Sequence, residues 1–385
     1  MHQTYKKSKF SIAKNATVAC VALFSISANA LIVLQQVSAS AGTEFDNNPT
    51  LVENNAKSIW RYTLNPKYSV AAVDEKNRWF SNFGLNIVRT TNKNITDDRE
   101  DPNLNLGWER ELEKGRLSVV SSYNRTSSRF REFKNTGFVD NDGTSVSKSL
   151  GVSWSTAVTE KLDYSLGANL SKNINSGGSS LVKNSLRKSV NTSLTYALND
   201  RLSPYVQYSY TKFEPNGIGS SKSNSQNYIG GIRYTISPQL STSLGAGINH
   251  VSSSGSGKLL NAGLDYSGER QTASLSAGRN VTPSDIGQFQ ESDNFSASYN
   301  YLITEKSSVG LNFDFSKSRA ADNTLGGNGG SIETTSSRLG GFYARELSQS
   351  WQMRVSLEEK QNKSNNQKAN GEIIGIVFTY NTPEF

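Results

Sequence analysis

From residue 79 onward the chain alternates apolar and polar positions with a period of two, as strands with one oily face do. In "TEKLDYSLGANLSK", residues 159–172, the apolar row is Tyr164, Leu166, Ala168 and Leu170, and the opposite row is Asp163, Ser165, Gly167, Asn169 and Ser171. "TEKSSVGLNFDFSK", residues 304–317, repeats the design with Val309, Leu311, Phe313 and Phe315 in the apolar row. Sixteen such segments are predicted, near 79–91, 103–111, 116–129, 144–156, 162–173, 187–197, 202–213, 225–235, 240–251, 258–267, 270–280, 293–302, 307–318, 334–344, 351–361 and 370–380.

The connections between these segments are of two kinds. Those at 112–115, 157–161, 198–201, 236–239, 268–269, 303–306 and 345–350 are short, and the ones between them are longer and rich in Gly, Asn and Ser. Short turns at one end and long loops at the other, with strands of about ten residues, are the marks of an outer-membrane barrel. The predicted fold is therefore all-β, a transmembrane antiparallel up-and-down barrel of about sixteen strands, with fourteen to eighteen as the range. Aromatic residues recur near the short turns: Trp79 and Phe80, Trp108, Trp154 and Tyr164, Tyr196 and Tyr205, Tyr234, Tyr266, Tyr299 and Tyr301, Phe342 and Tyr343, Trp351, and Tyr380. They are expected to form an interfacial girdle, since such rings have an apolar body and a tip that tolerates water.

The N-terminus suggests the compartment. Lys6, Lys7, Lys9 and Lys14 form a basic region without acids, and residues 16–34 are mostly apolar, as in a secretory signal. Cleavage is expected after Ala41, behind Ala39-Ser40-Ala41, giving a signal peptide of residues 1–41; Ala28-Asn29-Ala30 is a second candidate, and an uncleaved membrane anchor is the alternative. Cys20, the single cysteine, lies in the segment removed and fits a lipid-attachment pattern poorly. Residues 42–78 precede the sixteen segments and are expected to be a periplasmic segment; a plug in the lumen or an extra strand pair making eighteen are the other options. Residues 79–385 are the expected barrel.

Composition agrees with a barrel better than with soluble cores. Only 35% of the 385 residues are hydrophobic, too few for two packed domains, while an aromatic content of 10% and strict alternation argue against disorder. The formal charge of +8 falls to +4 once the four lysines of the leader are removed (41 minus 4 basic residues against 33 acids).

The row opposite the apolar one should line the lumen, and it is small and polar. Its charges are sparse and mixed: Glu109, Asp163, Asp265 and Asp314 against Arg233, Arg338 and Arg354, with internal ion pairs to those acids expected for the arginines. Lys172, Lys183, Arg187 and Lys188 surround a long loop without an acid. They suit either an anion-attracting channel mouth or contact with lipopolysaccharide phosphates.

Catalytic chemistry is not signalled. His250, the one histidine after the leader, shares parity with Leu244, Ala246 and Ile248 and should point outward, which suits no hydrolase triad. "DDRED" at 97–101 and "DNDG" at 140–143 lack a full calcium-loop pattern, and "GGNGG" at 326–330 lacks the context of a phosphate loop. No cofactor, no metal and no enzyme activity are expected.

"LNIVRTTNKNITDDREDPNLNLGWERE" at 85–111, "NTGFVDNDGT" at 135–144 and the Ser/Asn-rich meander that follows resemble the outer-membrane β-barrel proteins of exopolysaccharide and exosortase (PEP-CTERM) gene neighbourhoods. That resemblance implies a role beside surface polysaccharide secretion, with periplasmic export components as partners. The terminal Phe385 resembles the signal read by the barrel-assembly machinery, although the apolar row Ile374, Ile376, Phe378 and Tyr380 ends before it. The expected function is a porin-like channel for polysaccharide export or small polar and anionic solutes. A docking barrel without an open pore, and a lipid- or glycan-modifying enzyme, are the alternatives; outer-membrane lipid and lipopolysaccharide are expected partners, and nucleic acid is not.

Overall fold

In the computed structural model, residues 31–129, 143–177, 183–216, 222–284, 287–320, 333–364 and 367–383 are described. They form eighteen strands: β1 (Ile32–Asp46), β2 (Ile59–Val73), β3 (Asn77–Thr90), β4 (Arg99–Leu112), β5 (Gly115–Ser127), β6 (Gly143–Ala157), β7 (Leu162–Gly177), β8 (Asn184–Tyr196), β9 (Leu202–Asn216), β10 (Ser223–Ser237), β11 (Leu240–Val251), β12 (Gly255–Ser267), β13 (Gln271–Pro283), β14 (Phe289–Thr304), β15 (Ser307–Ala320), β16 (Thr334–Glu346), β17 (Trp351–Ser364) and β18 (Gln367–Asn381). Each pairs antiparallel with its chain neighbours, and β1 pairs with both β2 and β18, which closes the sheet. No sheet edge is left, as a barrel in lipid requires, because an unpaired backbone group there costs several kcal/mol, on the order of what desolvation of one amide costs.

The sixteen expected segments correspond one to one with β3–β18. The count rises to eighteen because residues 32–46 and 59–73 form a strand pair, where a periplasmic segment is expected for 42–78. A cut after Ala41 would fall inside β1. The "GGNGG" stretch, most of "DNDG", Cys20 and Phe385 lie outside the described residues.

The chain fixes its short turns with side-chain caps. Asp74 accepts the backbone N–H of Lys76 at 2.8 Å and of Asn77 at 2.6 Å, and these bonds hold its carboxyl below the usual aspartate range. In the repeated Thr-Glu-Lys turns, Thr159 Oγ1 accepts the N–H of Lys161 and Leu162 at 3.3 and 3.1 Å, and Thr304 Oγ1 accepts that of Lys306 at 3.3 Å. The sequence repeat is thus a capped turn that launches a strand.

Register separates the two faces of the sheet, since antiparallel partners share a face. Leu166, Val190, Val206, Leu244, Leu260, Leu311, Leu339 and Leu357 are exposed on the outside, where lipid takes the place of water. Trp79 stands opposite Trp108, Trp154 lies 5.8 Å from Tyr164 between ring centres, and Trp351 lies 5.2 Å from Tyr380. These pairs sit at the short-turn level of the outer face and form the expected girdle there.

Three members of the expected girdle point the other way. Phe80, Tyr205 and Phe342 occupy inward positions, and Phe80 and Phe342 lie so close over Gly107 and Gly310 that a Cβ on either glycine would collide with the ring. Alternation explains two of them: in Trp79-Phe80 and Phe342-Tyr343, consecutive aromatics cannot both face lipid.

Packing inside the barrel is concentrated at the long-loop end. The buried polar side chains, among them Asp46, Asp101, Ser145, Ser225, Asn249, Ser292 and Lys360, all lie toward that end of their strands. So does an apolar cluster of Phe213, Val251, Leu259, Val281 and Phe289, with Phe213 and Phe289 edge to face at 5.9 Å. The polar groups there bond to each other, as Asn249 Nδ2–H does to Ser225 Oγ at 2.6 Å, which offsets the cost of burying them.

The facing assignment has a direct test. Leu311→Arg, on the outer face, is expected to destabilise the barrel by about 2–4 kcal/mol, the range for arginine near the bilayer midplane. Gly167→Ser, on the inner face, should cost little, because the added Cβ meets the movable amide of Asn191. Urea unfolding in lipid vesicles measures both, and equal losses would reverse the assignment.

Candidate functional site

The lumen is the candidate site, because the closed sheet turns one whole face toward it. Asp163 stands opposite Thr195, Arg233 opposite Ser243, Asp265 opposite Ser241, Asp314 opposite Arg338 and Arg354 opposite Ala344, all at inward positions. Around them the wall is Ser, Asn, Thr and Gly, with Ser165 and Ser193 sharing a hydrogen bond of 2.7 Å and Ser276 and Ser296 one of 2.6 Å. These serine pairs satisfy each other across strands and leave an uncharged, hydroxylated stretch of wall between the charges.

The arginines find aromatic rings more than acids. The guanidinium of Arg233 lies 5.0 Å from the centre of Tyr205, and that of Arg354 lies 3.6 Å from the centre of Phe342. Arg78, one residue before the first expected segment, lies 5.4 Å from the centre of Phe80 and 3.6 Å from Glu109. Stacking of this kind is worth about 0.5–2 kcal/mol and keeps a cation flat against the wall. The three stacks lie toward the short-turn end, on β3, on β9 and β10, and on β16 and β17. Arg233 and Asp163 are exposed there, inside the barrel. Arg338 does meet an acid, Glu358 at 3.7 Å, and is the register partner of Asp314; Asp265 accepts the Ser274 hydroxyl at 2.8 Å.

A cavity runs along the β1–β5 and β15–β18 wall from the long-loop end down to Arg354. Its lining carries six cations, Arg61, Arg99, Arg129, Arg338, Arg354 and Lys360, against four carboxylates, Glu44, Asp46, Asp101 and Glu358. Asp46 is fully buried and receives Lys360 Nζ at 2.7 and 2.9 Å and Arg61 Nη2 at 2.6 Å, while Arg61 also bonds Glu44. Arg99 Nε bonds Asp101 at 2.9 Å. Lys360 was legible from the sequence, because it shares parity with Arg354, Ser356 and Glu358. Asp46 and Arg61 were missed with the two strands that carry them.

The four basic residues expected at one mouth are dispersed. Arg187 faces inward, opposite Ser171, whereas Lys172 and Lys188 stand on the outer face, opposite Leu186 and Leu170. Lys183 lies in the β7–β8 connection with its aliphatic stem against Gly287, in the β13–β14 connection. His250 points outward, as its parity implied, with Nδ1 3.2 Å from Ser256 Oγ. In "DDRED", Asp98 is taken by Lys93 at 2.8 Å, Glu100 by Arg89 at 2.5 Å and Asp101 by Arg99. The bonds to Lys93 and to the Thr90 N–H hold Asp98 below its usual pKa.

No protein-family model and no curated protein matches the chain. Solved structures do. OccK5 (OpdH) of Pseudomonas aeruginosa superposes with a TM-score of 0.51 at 11% identity, over 91% of this chain and 98% of that one. OpdQ of the same organism gives 0.50 at 11% identity, over 91% and 99%, and a mutant of its ferric enterobactin receptor (PfeA) gives 0.50 at 7% identity, over 91% and 80%. The likeness is one of fold. With its closed sheet and apolar outer face, the chain is a β-barrel of the bacterial outer membrane.

Proposed function

We propose that the barrel is a passive channel for small polar solutes with a mild preference for anions. The carrying observation is the loop-end cavity, where six cations face four carboxylates on one wall of a lumen that is otherwise Ser- and Asn-rich. A low-dielectric wall concentrates ions of opposite sign to its excess charge. Screening limits the effect, since charges farther apart than about 8 Å interact weakly at physiological ionic strength. Of the stacked arginines, Arg354 belongs to this cavity, while Arg78 and Arg233 add positive charge nearer the short turns, offset there by Glu109, Asp163 and Asp265. A neutral, hydroxylated wall suits sugars as well as anions, and the role beside polysaccharide export that the family resemblance implies is part of this proposal.

Purified protein in a planar bilayer tests it. Steady conductance is expected, with a reversal potential in a salt gradient that reports anion preference and moves toward zero in Arg338→Gln/Arg354→Gln. If no conductance appears at any salt or voltage, the channel reading fails and the docking barrel replaces it.

A further inference from the structure

The outer rim of the barrel, at the long-loop end, is built in two different ways. On β13–β15 its charges are matched: Arg279 Nε lies 2.6 Å from Asp293 Oδ1, Lys317 Nζ 2.8 Å from Glu333 Oε1, and Arg319 bonds Glu291. On β6–β9 lysine stands opposite lysine. Lys148 and Lys172 are register partners, and so are Lys188 and Lys212, with Leu186 and Leu170 completing the rows between them.

Like charges placed directly opposite destabilise a strand pair. Two such pairs side by side, on the lipid face, call for anions from outside. The protein supplies few. Glu214 at this rim is engaged by Lys212 at 3.3 Å and Lys222 at 3.6 Å, and Lys188 shares its field. Among the described residues no carboxylate lies within ion-pair distance of Lys148, Lys172 or Lys188. Lys148 instead rests 5.9 Å from the centre of the Tyr123 ring. Beside the lysines, the same face holds an apolar groove walled by Leu104, Leu150, Leu170 and Leu186.

We propose that this face binds a phosphorylated glycolipid of the outer leaflet, lipopolysaccharide, with one phosphate on the Lys148–Lys172 pair, a second on the Lys188–Lys212 pair and an acyl chain in the groove. Two features select this occupant. The lysines sit at the long-loop end, which faces the cell exterior in such barrels. The pairs are centred two strands apart, about 10 Å at the usual strand spacing, and are offset by two residues along the strands, about 7 Å, so they stand about 12 Å apart, which matches two anionic groups on one ligand better than a single phosphodiester. The inference rests on the outer-membrane location and not on conduction.

The probes are bisphosphorylated lipid A, its dephosphorylated form and phosphatidylglycerol, each added to the purified barrel in detergent and followed by native mass spectrometry. Lipid A is expected to bind at least tenfold more tightly than the other two. The variant Lys148→Gln/Lys172→Gln/Lys188→Gln/Lys212→Gln should lose at least tenfold in lipid A affinity, while Lys317→Gln/Arg319→Gln, on the matched part of the rim, should not. Equal binding of phosphatidylglycerol, or unchanged binding by the fourfold variant, overturns the proposal. The comparison of the three lipids uses the unmodified protein, so it decides even if the variant does not fold. Loss of conductance alone would bear on the channel and leave this result standing.

Discussion

A chain that begins at Gly42 will not close the barrel, whereas one that begins at Leu31 will. β1 pairs with β2 along its whole length, from Ile32 opposite Val73 to Asp46 opposite Ile59. It also pairs with β18 from Ser38 opposite Asn381 to Asp46 opposite Ile373. Starting at Gly42 removes residues 32–41, which strips the partners from residues 64–73 of β2 and from 378–381 of β18. Those backbone groups would then face lipid, where each unsatisfied one costs several kcal/mol, about the price of desolvating an amide. Refolding into detergent, scored by heat-modifiable electrophoretic migration, should give a folded band for the longer chain only. The mature protein from cells should correspondingly begin at Leu31, behind Ala28-Asn29-Ala30, as read by intact mass. A folded mature barrel beginning at Gly42 would overturn this.

The missed strands show where the sequence signal is ambiguous. Residues 32–34, Ile-Val-Leu, extend the apolar stretch of a leader as readily as they start a strand, and Ala39-Ser40-Ala41 offers small residues to a peptidase and to a barrel wall alike. β2 carries Pro66, which cannot donate to a ladder, and the β2–β3 register passes from Leu64 opposite Ile87 to Lys67 opposite Gly84 without pairing it. Beyond residue 77, alternation was enough to find each strand and its lipid face. Loop length gave the ends of the barrel. What alternation did not give was the partner of each inward charge, because that depends on the register between neighbouring strands and, for Lys360, on reaching past β18 to Asp46, where it meets Arg61 at the closing seam. The outward turn of Lys172 and Lys188 was within reach of parity, since both share a row with leucine or valine: Lys172 with Leu170, and Lys188 with Val190. Grouping them with Arg187 as a single loop mouth overrode that signal.

Asp46→Ala should destabilise the barrel by about 3–5 kcal/mol, the cost of leaving a buried charge without its partner. Asp46 is 0% exposed and accepts four hydrogen bonds on its carboxylate: two from Lys360 at 2.7 and 2.9 Å, one from Arg61 at 2.6 Å and one from the Asn48 N–H at 3.1 Å. These bonds tie β1 to β2 and, across β18, to β17, so they staple the seam where the sheet closes on itself. Without the carboxylate, the Lys360 ammonium, with a side chain only 6% exposed, keeps no acid within bonding distance among the described residues. Arg61 keeps Glu44. Lys360→Met should cost less than Asp46→Ala, because Asp46 then retains Arg61 and the Asn48 N–H. The double variant should cost less than the sum of the two, since removing both partners leaves no unpaired charge; neighbours in one network couple by about 0.5–3 kcal/mol. Urea unfolding of all four proteins in lipid vesicles closes the cycle. If Asp46→Ala costs under about 1 kcal/mol, the range of an exposed ion pair, or if the two effects simply add, the cluster is not a buried staple but a solvated part of the lumen wall.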